Sequence, residues 1–174
     1  MNKLIRLIPL IIVSVILLVA CKKPAPALLD FSKLTETNSK CELAGTIDSN
    51  AWKNDVLNLK NDTLLLTFSD NIYLSDSIPG TIQISAPCPN PSNGFFFWSV
   101  NASRACKLKL VCINDSSDIL YYNSYRLQNG PVDIGFNFRS NTSFHKNNNF
   151  RMYYAFYTSK DSIFYAGYGN FRIE

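Results

Sequence analysis

Glutamate, histidine and glycine are scarce in this chain, and each scarcity removes a class of chemistry. Only three glutamates occur among 174 residues, Glu36, Glu42 and Glu174. The two carboxylates of a glycoside hydrolase would therefore have to be aspartates, most of which stand beside turns. His145 is the single histidine. It falls in the polar stretch Arg139 to Asn149, a solvated loop by composition, where a nucleophile, base and orienting acid are hard to assemble. No C-x-x-C pair exists, and with one histidine no zinc or other metal site is expected. A glycine-rich phosphate cradle and a redox dithiol are also missing, so no cofactor is expected. Asp115 and Asp118 flank Ser116-Ser117, which reads as a turn, because a calcium loop wants more oxygen ligands and a tight glycine. The residues point to a binder; the competing hydrolase reading rests on aspartates or on His145.

The longest apolar stretch is short as well. From Leu7 to Ala20 run 14 mainly apolar residues, about 21 Å as a helix, whereas a bilayer core takes roughly 20 residues to cross. With Lys3 and Arg6 before it and Leu18-Val19-Ala20-Cys21 at its end, the stretch has the length and flanks of a secretory segment. An uncleaved N-terminal membrane helix is the alternative. The segment resembles the lipoprotein signal of bacteria, in which an L-x-A-C box is cut before the cysteine. The resemblance implies a signal over residues 1–20, acylation of Cys21, and the membrane as a partner through that anchor. Several acyl chains hold a protein firmly, since two signals already anchor stably. Lys22-Lys23 differs from the aspartate-type signal of inner-membrane retention. This implies the outer membrane; Lys-Lys-Pro standing where surface-exported lipoproteins carry a short acidic run implies its periplasmic face, with the cell surface as the alternative.

Removing Lys3 and Arg6 leaves 15 basic against 13 acidic residues, so the net charge drops from +4 to +2. No basic stripe remains to track a phosphate backbone, and nucleic acid is not an expected partner. The remaining 154 residues suffice for one domain with a sizeable core. Lys22 to Ser39 carries two prolines and scattered hydrophobics and reads as a tether of up to about 60 Å. Leu28, Leu29 and Phe31 offer the alternative of an edge strand docked on the body.

Residues 40–174 read as an all-β domain, an antiparallel β-sandwich of about ten short strands. Apolar or alternating runs recur about every ten residues between Asn, Asp, Ser, Gly and Pro clusters. Candidate strands are Glu42 to Asp48, Trp52 to Leu59, Thr63 to Ser69, Thr81 to Ala86, Phe95 to Asn101, Cys106 to Ile113, Ile119 to Leu127, Val132 to Phe138, Phe150 to Thr158, Ser162 to Ala166 and Asn170 to Ile173. The cleanest alternation is Val132, Ile134, Phe136 and Phe138, which predicts one dry face and one wet face.

Besides Cys21 there are four cysteines, Cys41, Cys88, Cys106 and Cys112, and an oxidising compartment favours pairing them. Cys106 and Cys112 end one strand about 20 Å apart, too far for a bridge, and both share the face of Leu108 and Leu110. If all four pair, Cys41–Cys88 is excluded too, since it would force the rejected pair. Cys88–Cys106 with Cys41–Cys112 is then preferred over Cys41–Cys106 with Cys88–Cys112, because it encloses a local hairpin. Buried free thiols are the alternative to any pairing.

Aromatics are plentiful, at 13% of the chain, and a ring with a polar handle suits a sugar or a protein partner. Trp52, Trp98, Tyr121, Tyr125 and Tyr153 are the candidate binding residues. Alternation against Ile119 and Phe156 predicts that Tyr121, Tyr125 and Tyr153 face outward. Cys41 to Lys53 also resembles the opening hairpin of small lipoprotein domains of Bacteroidota, β-sandwiches of unknown function, although Ser49-Asn50 replaces the usual glycine of the turn. Such bacteria O-glycosylate exported proteins at D-(S/T)-apolar triplets. The resemblance thereby implies Thr63, Ser77 and Ser162 as acceptor sites. The expected function is a lipid-anchored envelope module that contacts glycan or protein through exposed aromatics; a purely structural envelope lipoprotein is a further alternative.

Overall fold

The computed structural model describes residues 29–54, 69–75, 78–159 and 162–174. Cys21, Thr63 and Ser77, and most of the candidate strands Trp52 to Leu59 and Thr63 to Ser69, lie outside the described residues.

The described residues form seven strands and no helix: β1 Ile82–Ile84, β2 Phe95–Ala102, β3 Cys106–Ile113, β4 Ile119–Leu127, β5 Gly130–Asn137, β6 Asn148–Tyr157 and β7 Ile163–Ile173. All pairings are antiparallel. They build two sheets, β1-β2-β5 and β4-β3-β6-β7, which face one another as a β-sandwich.

Period two explains which side chains meet between the sheets. Along β2 the even residues Phe96, Trp98, Val100 and Ala102 are buried, while Phe97, Ser99 and Asn101 face solvent. Ile134, Phe136 and Phe138 join them from the β5 side, as the alternation predicts. Across the gap stand Cys106, Leu108, Leu110 and Cys112 of β3 with Met152, Tyr154 and Phe156 of β6. Rings of Phe96, Phe136, Phe138, Phe144 and Phe171 pack in contact at one end, with Phe138 stacked on Phe144 at 4.0 Å between centroids. Each fully buried aromatic of this kind contributes about 1.5–3 kcal/mol.

Two expected strands are one. Ser162 to Ala166 and Asn170 to Ile173 merge into β7 because Gly167 and Gly169 continue the ladder with Tyr154 and Met152. Their bare backbones make room for the segment around Trp52. A Cβ at Gly169 would stand 2.0 Å from the Trp52 ring, and one at Gly167 would stand 2.2 Å from the Lys53 carbonyl oxygen. Glu42 to Asp48 is not a strand; it folds back on Glu36 to Asn38 through the isolated bridge between Leu43 and Thr37 and backbone bonds such as that from Glu36 to the Thr46 carbonyl at 2.8 Å.

The outer face of the four-stranded sheet is covered by the chain itself. Residues 29–33 lie across it, with Phe31 buried against Val111, Ile113, Tyr153, Ala155 and Tyr157. Arg151 projects from β6 between the rings of Phe31 and Tyr168, 4.8 and 4.5 Å from their centroids. It donates to the Asp30 carbonyl and, at 2.8 Å, to Asn170 Oδ1. Asn170 Nδ2 in turn donates to the carbonyls of Asp30 and Lys33. The expected tether is therefore docked from Leu29 onward, as an irregular strap and not as an edge strand.

Asp70 covers the other end of that face. Its carboxylate lies 3.4 Å from Lys107 Nζ and 3.1 Å from Lys109 Nζ, with all three side chains about nine-tenths buried. Burial pushes the Asp70 carboxyl up, but the Ile72 amide, the Lys109 hydrogen bond and the charge of Lys107 together hold it below its ordinary value.

The disulfide corrects the expected pairing: Cys41 bonds Cys88, and Cys106 and Cys112 are buried free thiols. Cys106 and Cys112 do share the face of Leu108 and Leu110 and do not bond each other. The error was the premise that all four must pair. Cys41 and Cys88 meet because Thr37 bridges Asn90, and the Thr37 hydroxyl donates to the Pro87 carbonyl at 2.6 Å. Nothing brings a second cysteine to Cys106 or Cys112, whose side chains are sealed between the sheets.

Candidate binding face

Three of the five expected binding aromatics belong to the interior. Trp52 and Trp98 lie in the core with Tyr154; the Trp98–Tyr154 centroids are 5.1 Å apart and Trp52 stacks on Tyr154 at 6.1 Å. Trp98 Nε1 donates to the Ser85 carbonyl at 3.0 Å, which satisfies its polar handle from within. Tyr153 does oppose Phe156 across β6, as alternation predicts, but the strap covers the face it points to and leaves it buried.

Tyr121 and Tyr125 are half-buried and pack against the core, contrary to the outward reading. The reason is a β-bulge. Ile119 pairs with Ile113 and Tyr121 with Cys112, so Leu120 is one residue too many and alternation counted from Ile119 does not carry across it. Tyr121 and Tyr125 thereby oppose the inward-facing Cys112 and Leu108, while Tyr122 is the exposed ring of the strand. The two hydroxyls lie 3.2 Å apart, and Asn123 Nδ2 donates to Tyr121 at 3.0 Å. Burial, then the bond to Tyr121, pushes the Tyr125 phenol up.

The remaining sequence candidates stand apart. His145 is exposed on the β5–β6 loop and makes no hydrogen bond among the described residues. Asp118 closes a tight turn with Asn114, its carboxylate accepting from Asn114 Nδ2 at 3.0 Å and its backbone amide donating to Asn114 Oδ1 at 2.8 Å. Ser162 is exposed at the β6–β7 hairpin, where its carbonyl accepts from Thr158.

Among the described residues, the outer face of the three-stranded sheet is left open. Phe97, 44% exposed, pairs with Gly135 of β5 and lies over it, 3.5 Å from where a Cβ would be. Phe95 meets it edge-on at 4.9 Å, and the Arg139 guanidinium stacks on Phe95 at 5.6 Å while donating to Asn93 Oδ1. Further along β2 the same face becomes polar. Ser99 donates to Asp133 across the β2–β5 ladder, and Asn101 donates to Gln83 of β1. A shallow depression of about 220 Å³ runs over Gln83, Ile84, Ser85, Ser99, Val100, Asn101 and Pro131, and its exposed lining is mainly apolar.

Chemically this face offers one flat apolar ring followed by hydroxyl, carboxylate and amide groups at sheet spacing. A sugar ring lays its C–H face on such an aromatic and its hydroxyls on such neighbours. Phe97 was missed because Trp98 beside it looks the better binder, yet the period of Phe95, Phe97, Ser99 and Asn101 already marks them as the wet side of β2. Compared with models of known protein families and with curated proteins, the chain matches none.

Proposed function

We propose that this protein is a non-catalytic binding module, lipid-anchored in the cell envelope through Cys21, that holds a glycan chain across the outer face of its three-stranded sheet. The observation that carries the reading is the asymmetry of the sandwich. One outer face is largely covered by the chain's own strap and by Asp70, with Tyr122 left exposed on β4, while the other, among the described residues, presents Phe97, nearly half exposed, beside a polar row. A glycan fits better than a protein because the depression is shallow and mostly neutral. Protein hot spots cluster in well-packed, desolvated pockets, and this surface provides none. The Leu18-Val19-Ala20-Cys21 box supports the anchor, and Lys22-Lys23 supports the outer membrane.

The test is co-sedimentation of the mature protein with insoluble envelope polysaccharides. Binding should weaken about tenfold in Phe97→Ala, the loss of one stacking contact of roughly 1.4 kcal/mol. Equal binding by Phe97→Ala and the unaltered protein would remove this face from consideration.

A further inference from the structure

A second concavity lies at the end of the sandwich where the strap meets the β3–β4 turn and the start of β6. It has a volume of about 290 Å³, and four segments distant in sequence converge on it. Phe31 comes from the strap, Asp115 from the turn, Asn147 and Asn148 from the loop entering β6, and Arg172 from β7.

The walls are fixed before any ligand arrives. Asn149 Nδ2 donates to the Phe31 carbonyl at 2.8 Å, and Arg151 stacks on the Phe31 ring. The Asn147 amide donates to the Ile173 carbonyl at 2.6 Å. The side chains that face the space are less committed. Asn147 and Asn148 make no side-chain hydrogen bond among the described residues, and each carries both a donor and an acceptor. Arg172 also lines the space, but its Nε is buried, with Glu174 Oε1 at 3.7 Å as its nearest acid, and is not itself open to a ligand.

We infer that this pocket binds a single neutral sugar residue. A hydroxyl donates and accepts together, and the two asparagine amides, the guanidinium and the Asp115 carboxylate present both functions around one space. An anion gains little there, because Glu174 offsets Arg172 and Asp115 repels it. The volume is about ten water molecules' worth at ~30 Å³ each, at the low end of small-molecule sites. It holds one ring and not a chain, so its ligand is a free monosaccharide or the end of a glycan. The pocket shares its ligand class with the open face but none of its residues.

The test is an NMR titration of the isotope-labelled mature chain carrying Cys21→Ser. The probes are the methyl glycosides of glucose, galactose, mannose and N-acetylglucosamine, with inorganic phosphate alongside. At least one glycoside should shift the resonances of Asn147, Asn148 and Arg172. In Asn148→Ala its affinity should drop about tenfold, the loss of one hydrogen bond, and in Phe97→Ala it should be unchanged. The same spectra report whether each variant is folded; should Asn148→Ala fail to fold, Asp115→Ala takes its place with the same expectation. The inference is overturned if no glycoside shifts these residues, if phosphate shifts them in preference, or if the folded variant binds as tightly as the unaltered chain. Failure of Phe97→Ala to weaken polysaccharide binding would count against the open face alone.

Discussion

Arg151 stacks on Phe31: its guanidinium lies 4.8 Å from the ring, and Phe31 belongs to the hydrophobic cluster on the outer face of the four-stranded sheet. The contact ties the segment that follows the proposed lipid anchor to β6. The chain between Cys21 and Leu29 can span at most about 30 Å when extended. Arg151→Lys keeps the charge but loses the planar fork that bonds Asn170 and the Asp30 carbonyl while stacking on two rings. It should cost about 2 kcal/mol in urea unfolding, and hydrogen exchange of residues 29–33 should rise more than that of β3. Unchanged exchange in the strap would mean that Arg151 does not hold it.

The Cys41–Cys88 bond closes a loop of 47 residues. Chain entropy assigns such a loop roughly 4 kcal/mol, so Cys88→Ser should lower stability by about that amount. In the native protein two thiols should stay unreactive to a thiol reagent until the chain unfolds. Burial pushes the Cys106 thiol up to about 11 and Cys112 higher still, which leaves little thiolate at neutral pH. Rapid native labelling of two thiols would contradict the placement of β3.

Acid should act through Asp70. Its carboxyl is held below the ordinary 3.8, so the stability it contributes is complete above that value and is lost as pH falls through the folded-state value. Asp70→Asn leaves two buried lysines without their shared carboxylate and should cost about 3 kcal/mol at neutral pH. The gap between the two proteins in urea should close as pH drops below 3.8. A gap independent of pH would show that the carboxylate charge is not what matters.

Gly169→Ala should be among the most damaging small changes in the chain. The added methyl would stand 2.0 Å from the Trp52 ring, and displacing a buried tryptophan from its stack costs about 3 kcal/mol. Near-ultraviolet circular dichroism should lose the tryptophan signal of the packed core. An intact signal with unchanged stability would show that Trp52 does not rest on β7.

How much of this was legible in the residues depends on what set each feature. β3 and β4 are bounded as their apolar and aromatic runs predict, and β2 and β5 nearly so, because alternation is a local property of the chain. What one segment lays over another was not legible. Tyr153 has the parity of an outward residue and is buried, since no local pattern says that residues 29–33 return across its face. The bulge at Leu120 defeats a count that starts at Ile119, whereas one that starts at the buried Leu127 places Tyr125 and Tyr121 inward. The disulfide failed for a related reason: Thr37 and Asn90 bring Cys41 to Cys88 through irregular segments, where spacing carries no geometry. The open face could have been found, because Phe97 shares its parity with Ser99 and Asn101.

Hydroxyl-radical footprinting of the mature protein with and without bound envelope polysaccharide distinguishes the two outer faces of the sandwich. Phe95 and Phe97 are predicted to become protected, while Tyr122, exposed on the other sheet, keeps its reactivity. Protection of Tyr122 with Phe97 still fully reactive would put the glycan on the four-stranded sheet and not on the face of Phe97.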